Sequence, residues 1–183
     1  MSDLGKSEQV IIVDSSGINC SVKFFEKNKN DWNCKHSVNG FVGLNGVSDK
    51  SREGDYCTPR GIFQLGFAFG FPSLTGLNVE YRQINYNCYW VDDPDSPLYN
   101  QWIESNNITW NSAEHLADYP VAYKYSIVIN YNMSPVIPYK GSAIFLHCST
   151  GSYTAGCVSI PENDMLEILK KLDASKTPMI VIV

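Results

Sequence analysis

Charge is scarce in this sequence. Of its 183 residues only 18% are Asp, Glu, Lys or Arg, the net charge is -5 and the isoelectric point lies near 5.1. Binding to nucleic acid needs basic patches that displace counterions from phosphates, and the longest basic cluster here is Lys170 with Lys171, so nucleic acid is excluded as a partner. Long apolar runs are missing too: nothing approaches the roughly 18 consecutive apolar residues of a membrane span. The opening MSDLGKSEQVIIV has no basic segment followed by a long apolar stretch, so no export signal is legible in it. Paired C-x-x-C spacings are absent, which leaves a zinc site on His147, Cys148 and Cys157 without a fourth ligand. The acids Asp92, Asp93 and Asp95 lack the Gly and terminal Glu spacing of a calcium loop and are expected in a solvated turn. Neither a metal nor a cofactor is expected. With no internal repeat, low-complexity linker or internal boundary, residues 1–183 are expected to form one domain.

What is present favours short strands joined by turns: 11 Tyr, 8 Phe and 4 Trp among 13 Gly and 9 Pro. Val10 to Val13 is a short apolar run, and Ile18, Cys20, Val22 and Phe24 alternate with more polar neighbours, the period of a half-buried strand. KNKND is expected as a hairpin loop leading through Trp32 into a second strand. A long loop rich in Gly and charge then feeds a strand at Ile62 to Leu65. Phe67 to Thr75 is expected as irregular wall, WVDDPDSPLYNQW from Trp90 as an ordered loop, and NSAEHLADYP as a further loop. Strands are expected at Tyr125 to Asn130 and Ala143 to Cys148. A helix follows Pro161, with Glu162 and Asp164 at its positive end, Lys170 and Lys171 at its negative end, and a core stripe of Met165, Leu166, Leu169 and Leu172. MIVIV closes the chain as a buried strand.

The chemistry gathers in HCSTGSYTAGCVSIP, from His147 to Pro161. In AIFLHC, Ala143, Phe145 and His147 fall on one face and Ile144, Leu146 and Cys148 on the other. His147 and Cys157 lie ten positions apart, joined by Gly, Ser and Thr that can fold back as a loop. A thiol with an ordinary pKa near 8.5 is mostly protonated at neutral pH, so attack requires an imidazole to take its proton. An imidazole with an ordinary pKa implies a rate that falls as pH drops from about 8 to 5. Gly156 permits a sharp turn and a close approach of a substrate carbonyl, and the N–H groups around it and Cys157 are candidate oxyanion donors. Six cysteines (Cys20, Cys34, Cys57, Cys88, Cys148, Cys157) allow 15 complete pairings. With Cys157 kept as a thiol, at least one more stays reduced; buried thiols and one or two bridges remain equally open.

These segments resemble the L,D-transpeptidase catalytic domain of the YkuD type. The likeness rests on GDYCTPRGIFQL from Gly54, WVDDPDSPLYNQW, SAEHLADYP, and GSAIFLHC followed by TAGCVSIPENDM. It implies a mainly β, mixed-sheet sandwich with one helix in the C-terminal half, around an active-site groove. It also implies an enzyme of the cell envelope that acts on peptidoglycan stem peptides. In that family a cysteine attacks the carbonyl of the third stem residue, expels D-alanine, and passes the acyl group to an amine or to water. Carried onto this sequence, Cys157 is the nucleophile, His147 the base, Gly156 the glycine of the oxyanion turn, and the Cys148 carbonyl the group that orients the imidazole. Ala155 and Ser159 replace a histidine and an Asn or Arg of the common pattern, and the loop is shorter than usual. Tyr153, Thr154 and Ser159 are candidate substrate contacts, whereas His115 and Arg60 are expected to be structural. An L,D-carboxypeptidase, a different cysteine amidase and a non-catalytic wall-binding module are the competing readings.

Overall fold

The computed structural model describes residues 4–29 and 31–183. Three long strands open it: β1 (Gln9–Ser16), β2 (Asn19–Asn28) and β3 (Asp31–Phe41). Two short pairs of residues follow, β4 (Val47–Ser48) and β5 (Thr58–Pro59), then the long β6 (Gly61–Gly70) and β7 (Tyr81–Gln83). A second group holds β8 (Cys88–Val91), β9 (Gln101–Glu104) and β10 (Ala113–His115). The chain ends with β11 (Tyr125–Ile129), β12 (Phe145–Cys148), β13 (Val158–Ile160), the helix α1 (Glu162–Lys171) and β14 (Met179–Ile182).

The main sheet runs β11-β12-β13-β3-β2-β1-β14-β6-β7, with both parallel and antiparallel neighbours. It is mainly β and mixed, with a single α-helix among the described residues, as the sequence implies. The sheet also wraps: β6 pairs with β11 through Leu65 to Gly70, so the two packed layers are continuous through hydrogen bonds. Inside this ring sits one apolar cluster, with Ile11, Val13, Val22 and Phe24 against Ile127, Leu146, Val158 and Ile180. Helix α1 adds Met165, Ile168 and Leu169 to it, and Leu172 just past the helix joins them; of the predicted stripe Leu166 is only partly buried, and Ile168 is not part of that stripe. Such burial is the main favourable term holding the layers together.

A second apolar cluster lies on the outer face of β6, β11 and β12, where Phe69, Val128 and Phe145 meet Trp90, Leu116 and Tyr123. The three-stranded sheet β10-β8-β9 covers this face. Here the structure differs from three loop expectations. Phe67 to Gly70 continue β6, because β11 and β7 supply hydrogen-bond partners on both edges. The ends of WVDDPDSPLYNQW pair as a hairpin, Trp90 opposite Trp102, and Ala113 to His115 form β10 against β8. Pairing across distant segments, which local composition does not reveal, makes these strands. All six cysteines are free thiols.

Candidate active site

β12 and β13 run parallel, in register His147 to Ser159, and β11 places Ser126 on the other side of His147. The alternation along β12 is as the sequence predicts. Ile144, Leu146 and Cys148 enter the core inside the ring, while Ala143 and Phe145 join the outer cluster. His147 therefore leaves on the outer side, where the Tyr123 ring meets its imidazole edge-on at 5.6 Å between centroids.

The segment before Cys157 is pinned at several points. Thr154 donates its N–H to the Val42 carbonyl at 2.9 Å and accepts from Leu44 N–H at 3.0 Å. The Thr154 hydroxyl donates to the Cys157 carbonyl at 2.6 Å, and the Thr58 hydroxyl donates to the same carbonyl at 3.1 Å. Thr58 in turn accepts from Gly43 N–H at 2.8 Å. A Cβ on Gly43 would meet the Tyr56 carbonyl oxygen at 2.2 Å, so only glycine lets these two loops touch. Asp55 organises the same loop: its carboxylate accepts from Lys50 Nζ at 2.5 Å and from the N–H groups of Ser51 and Cys57 at 3.0 Å. Burial works against the charge on Asp55, but these donors outweigh it and hold the carboxyl below its ordinary range. The GDYCTPRG segment is thus the floor beneath the Cys157 turn.

Gly156 adopts φ +148°, a conformation that side chains disfavour, and a Cβ there would lie 3.1 Å from the Cys57 carbonyl oxygen. Its N–H donates to Thr154 Oγ1 at 3.1 Å. In the resting site that donor is therefore engaged, and the sequence expectation of a free oxyanion donor at Gly156 needs this bond to open.

Cys157 and His147 line the same cavity of about 420 Å³, with Tyr153, Thr154 and Gly156. Ser159 does not reach it. The residue is 1% exposed and its hydroxyl has no hydrogen-bond partner, because its parity on β13 and the adjoining strands bury it beside His147. The Cys157 thiol donates to the Ala143 carbonyl and accepts from Phe145 N–H, both at 3.3 Å. Its hydrogen bonds in the resting site are therefore to backbone groups. His147 Nδ1 lies 2.8 Å from the Cys148 carbonyl, which can only accept, so the proton of the neutral ring sits on Nδ1 and Nε2 is left basic.

Burial pushes the Cys157 thiol up to about 12; the charge of Glu114 adds to this, and Phe145 N–H and Lys50 oppose it. Burial also pulls His147 down to about 4, against the Cys148 carbonyl. Thiol and imidazole are thus both neutral at pH 7. Sequence reasoning missed Glu114 and Tyr123, which line the cavity as well, with the Tyr123 hydroxyl donating to the Glu114 carboxylate. Burial, with Asp92 and Glu53 nearby, raises Glu114 to about 7 although the Tyr123 bond opposes this. The only signal was that Glu114 falls inside the SAEHLADYP block. His115 is structural as expected: it bonds Asp118 and the Tyr86 carbonyl and stacks on Tyr89. Arg60 reaches only the Val47 carbonyl, at 3.4 Å. No group of residues suited to hold a metal occurs among the described residues.

Fold and cavity together define a mainly β protein that brings an imidazole on β12 and a thiol just before the adjacent parallel strand β13 to one cavity. The family model of the L,D-transpeptidase catalytic domain, YkuD, matches residues 8–182, and the chain belongs to that family, whose members act on peptidoglycan. Among solved structures it is similar to that of Bdellovibrio bacteriovorus Bd1075, with a TM-score of 0.51 and 17% sequence identity, a likeness of fold. The match covers 97% of this chain and 48% of that one, so the chain spans about half its length. No curated protein matches. No helix among the described residues is long and apolar enough to cross a membrane.

Proposed function

We propose that this chain is a cysteine-dependent L,D-transpeptidase of the cell envelope, acting as one catalytic domain on peptidoglycan stem tetrapeptides. The observation that carries this reading is the shared cavity of Cys157 and His147, with the imidazole fixed through Nδ1 so that Nε2 is the nitrogen free to take a proton. Because both groups start neutral, attack is coupled to proton transfer. The thiol leaves the Ala143 carbonyl, its proton passes to Nε2, and sulfur bonds to the carbonyl carbon of the third stem residue. The imidazolium then protonates the departing amine of D-alanine, which leaves a thioester on Cys157. An amine of a second stem attacks that thioester, the C–N bond forms and the thiol is restored.

In this reading the stem peptide contacts Tyr153 and Thr154, which line the cavity with Cys157, and Thr154 also holds the Cys157 carbonyl. The developing oxyanion needs backbone donors at the Gly156–Cys157 turn, worth roughly 3 kcal/mol each in other enzymes. The test is incubation with a disaccharide tetrapeptide. Release of D-alanine and a thioester adduct by intact mass are expected, and Cys157→Ala removes both. Release that persists in Cys157→Ala refutes the nucleophile. A cross-linked product identifies an amine acceptor, and a free tripeptide identifies water.

A further inference from the structure

Three carboxylates line the cavity beside Cys157: Glu53, Asp92 and Glu114. Each accepts from a hydroxyl, of Tyr99, Ser112 and Tyr123 respectively, and none forms an ion pair among the described residues. Lys50, on the same wall, is committed to Asp55 at 2.5 Å and so does not neutralise them. A nucleophile that must ionise therefore shares its cavity with three carboxylates that no cation among the described residues pairs. Among the charged groups around it, Glu114 opposes its ionisation and Lys50 favours it.

That arrangement is self-defeating for a free enzyme and productive when the substrate supplies the missing positive charge. Ser142, 5% exposed, lines the same cavity; its hydroxyl has no partner at full hydrogen-bond geometry, and the polar group acting on it is the Tyr99 phenol. An orphaned hydroxyl in a cavity wall is costly unless a ligand satisfies it, and its lone pairs suit an N–H donor. We infer that Glu114 docks an ammonium group of the substrate and that this neutralisation primes the Cys157 thiol for attack. The inference rests on Cys157 being the nucleophile. It deepens that reading by naming a cationic group as both the ligand and the trigger.

The titratable groups coupled to Glu114 are Asp92, Glu53, Tyr119 and Tyr123. Burial and neighbouring carboxylates raise both tyrosines, so they stay neutral below about pH 10. Tyr123, His147 and Lys50 share the cavity wall with Cys157, and His147 titrates far below this window.

The experiment follows alkylation of Cys157 by neutral iodoacetamide, in which the thiolate displaces iodide, using peptide mass to separate it from the other five cysteines. Glu114→Gln is expected to alkylate roughly tenfold faster at about pH 8 to 10, since one nearby charge shifts a buried group by roughly one pH unit. Butylammonium chloride is expected to speed the wild type over the same concentration of sodium chloride and to leave Glu114→Gln unaffected. Glu114→Asp, which keeps the charge, retains the ammonium response and shows that the Gln effect is not a packing defect. The inference is overturned if Glu114→Gln leaves the alkylation profile in place, or if ammonium speeds neither protein or both alike. Alkylation needs no peptidoglycan, so its outcome stands apart from the D-alanine test.

Discussion

The two faces of β12 follow opposite rules. Inward, Ile144, Leu146 and Cys148 enter a closed apolar cluster, and the Cys148 thiol is pushed up to about 11 mainly by burial. Outward, a few ångströms away across one backbone, Phe145 and His147 lie among groups that stability alone would not keep. Ser126 and Ser159 flank His147 in register, are 0% and 1% exposed, and have no hydrogen-bond partner. Cys148 and Cys157 make the same point as a pair. Both thiols are buried and raised, but only Cys157 opens onto a cavity with an imidazole. Burial therefore does not tell the two thiols apart; the side of the sheet on which each lies does. Buried polar groups kept without partners mark a surface where function outweighs local stability.

The comparison breaks most visibly on the inward face. Leu146→Ala, at a fully buried position, is expected to cost about 2–5 kcal/mol in denaturant unfolding. A loss below about 1 kcal/mol would mean that this face is not the packed one.

The outward face is sharpened by pH. His147 is buried neutral with a folded pKa of about 4, below its unfolded value near 6.5. The unfolded chain then binds more protons between these values, so the contribution of His147 is complete above about pH 6.5 and is lost as pH falls toward 4. The expected size is roughly 3 kcal/mol, and His147→Gln is expected to flatten that part of the stability profile. The acid limb of the acylation rate moves with it, from the pH 8 to 5 interval that an ordinary imidazole predicts to near pH 4. A limb centred near 6.5 would show that the ring is far more solvated than its surroundings indicate.

The smallest effect has the opposite sign. Ser159→Ala removes an unsatisfied buried hydroxyl and is expected to stabilise the fold by about 1 kcal/mol, seen as a higher Tm. A destabilised variant would reveal a partner for this hydroxyl and end the contrast between the two faces.

Much of this was legible in sequence wherever the signal was local. Period two along AIFLHC assigned each side chain its face, the charges at the ends of 162–171 and its apolar stripe marked the helix, and Gly156 before Cys157 marked a sharp turn, which the structure makes at φ +148°. The extension of β6 through Phe67–Gly70 and the strands β8, β9 and β10 were missed, because their partners are remote. Ser159 illustrates the same limit within the site: two positions past Cys157 in sequence, it lies under the neighbouring strands and off the cavity.

The sequence by itself determined the mainly β class, the family, and the thiol and imidazole worth watching, because residue type and short spacing encode these. Only the tertiary structure decided that both groups rest neutral, that Thr58 and Thr154 clamp the Cys157 carbonyl, and that Glu114 and Tyr123 stand in the same cavity. Desolvation and the field of remote charges depend on which distant segments close around a group, and no local pattern carries that information.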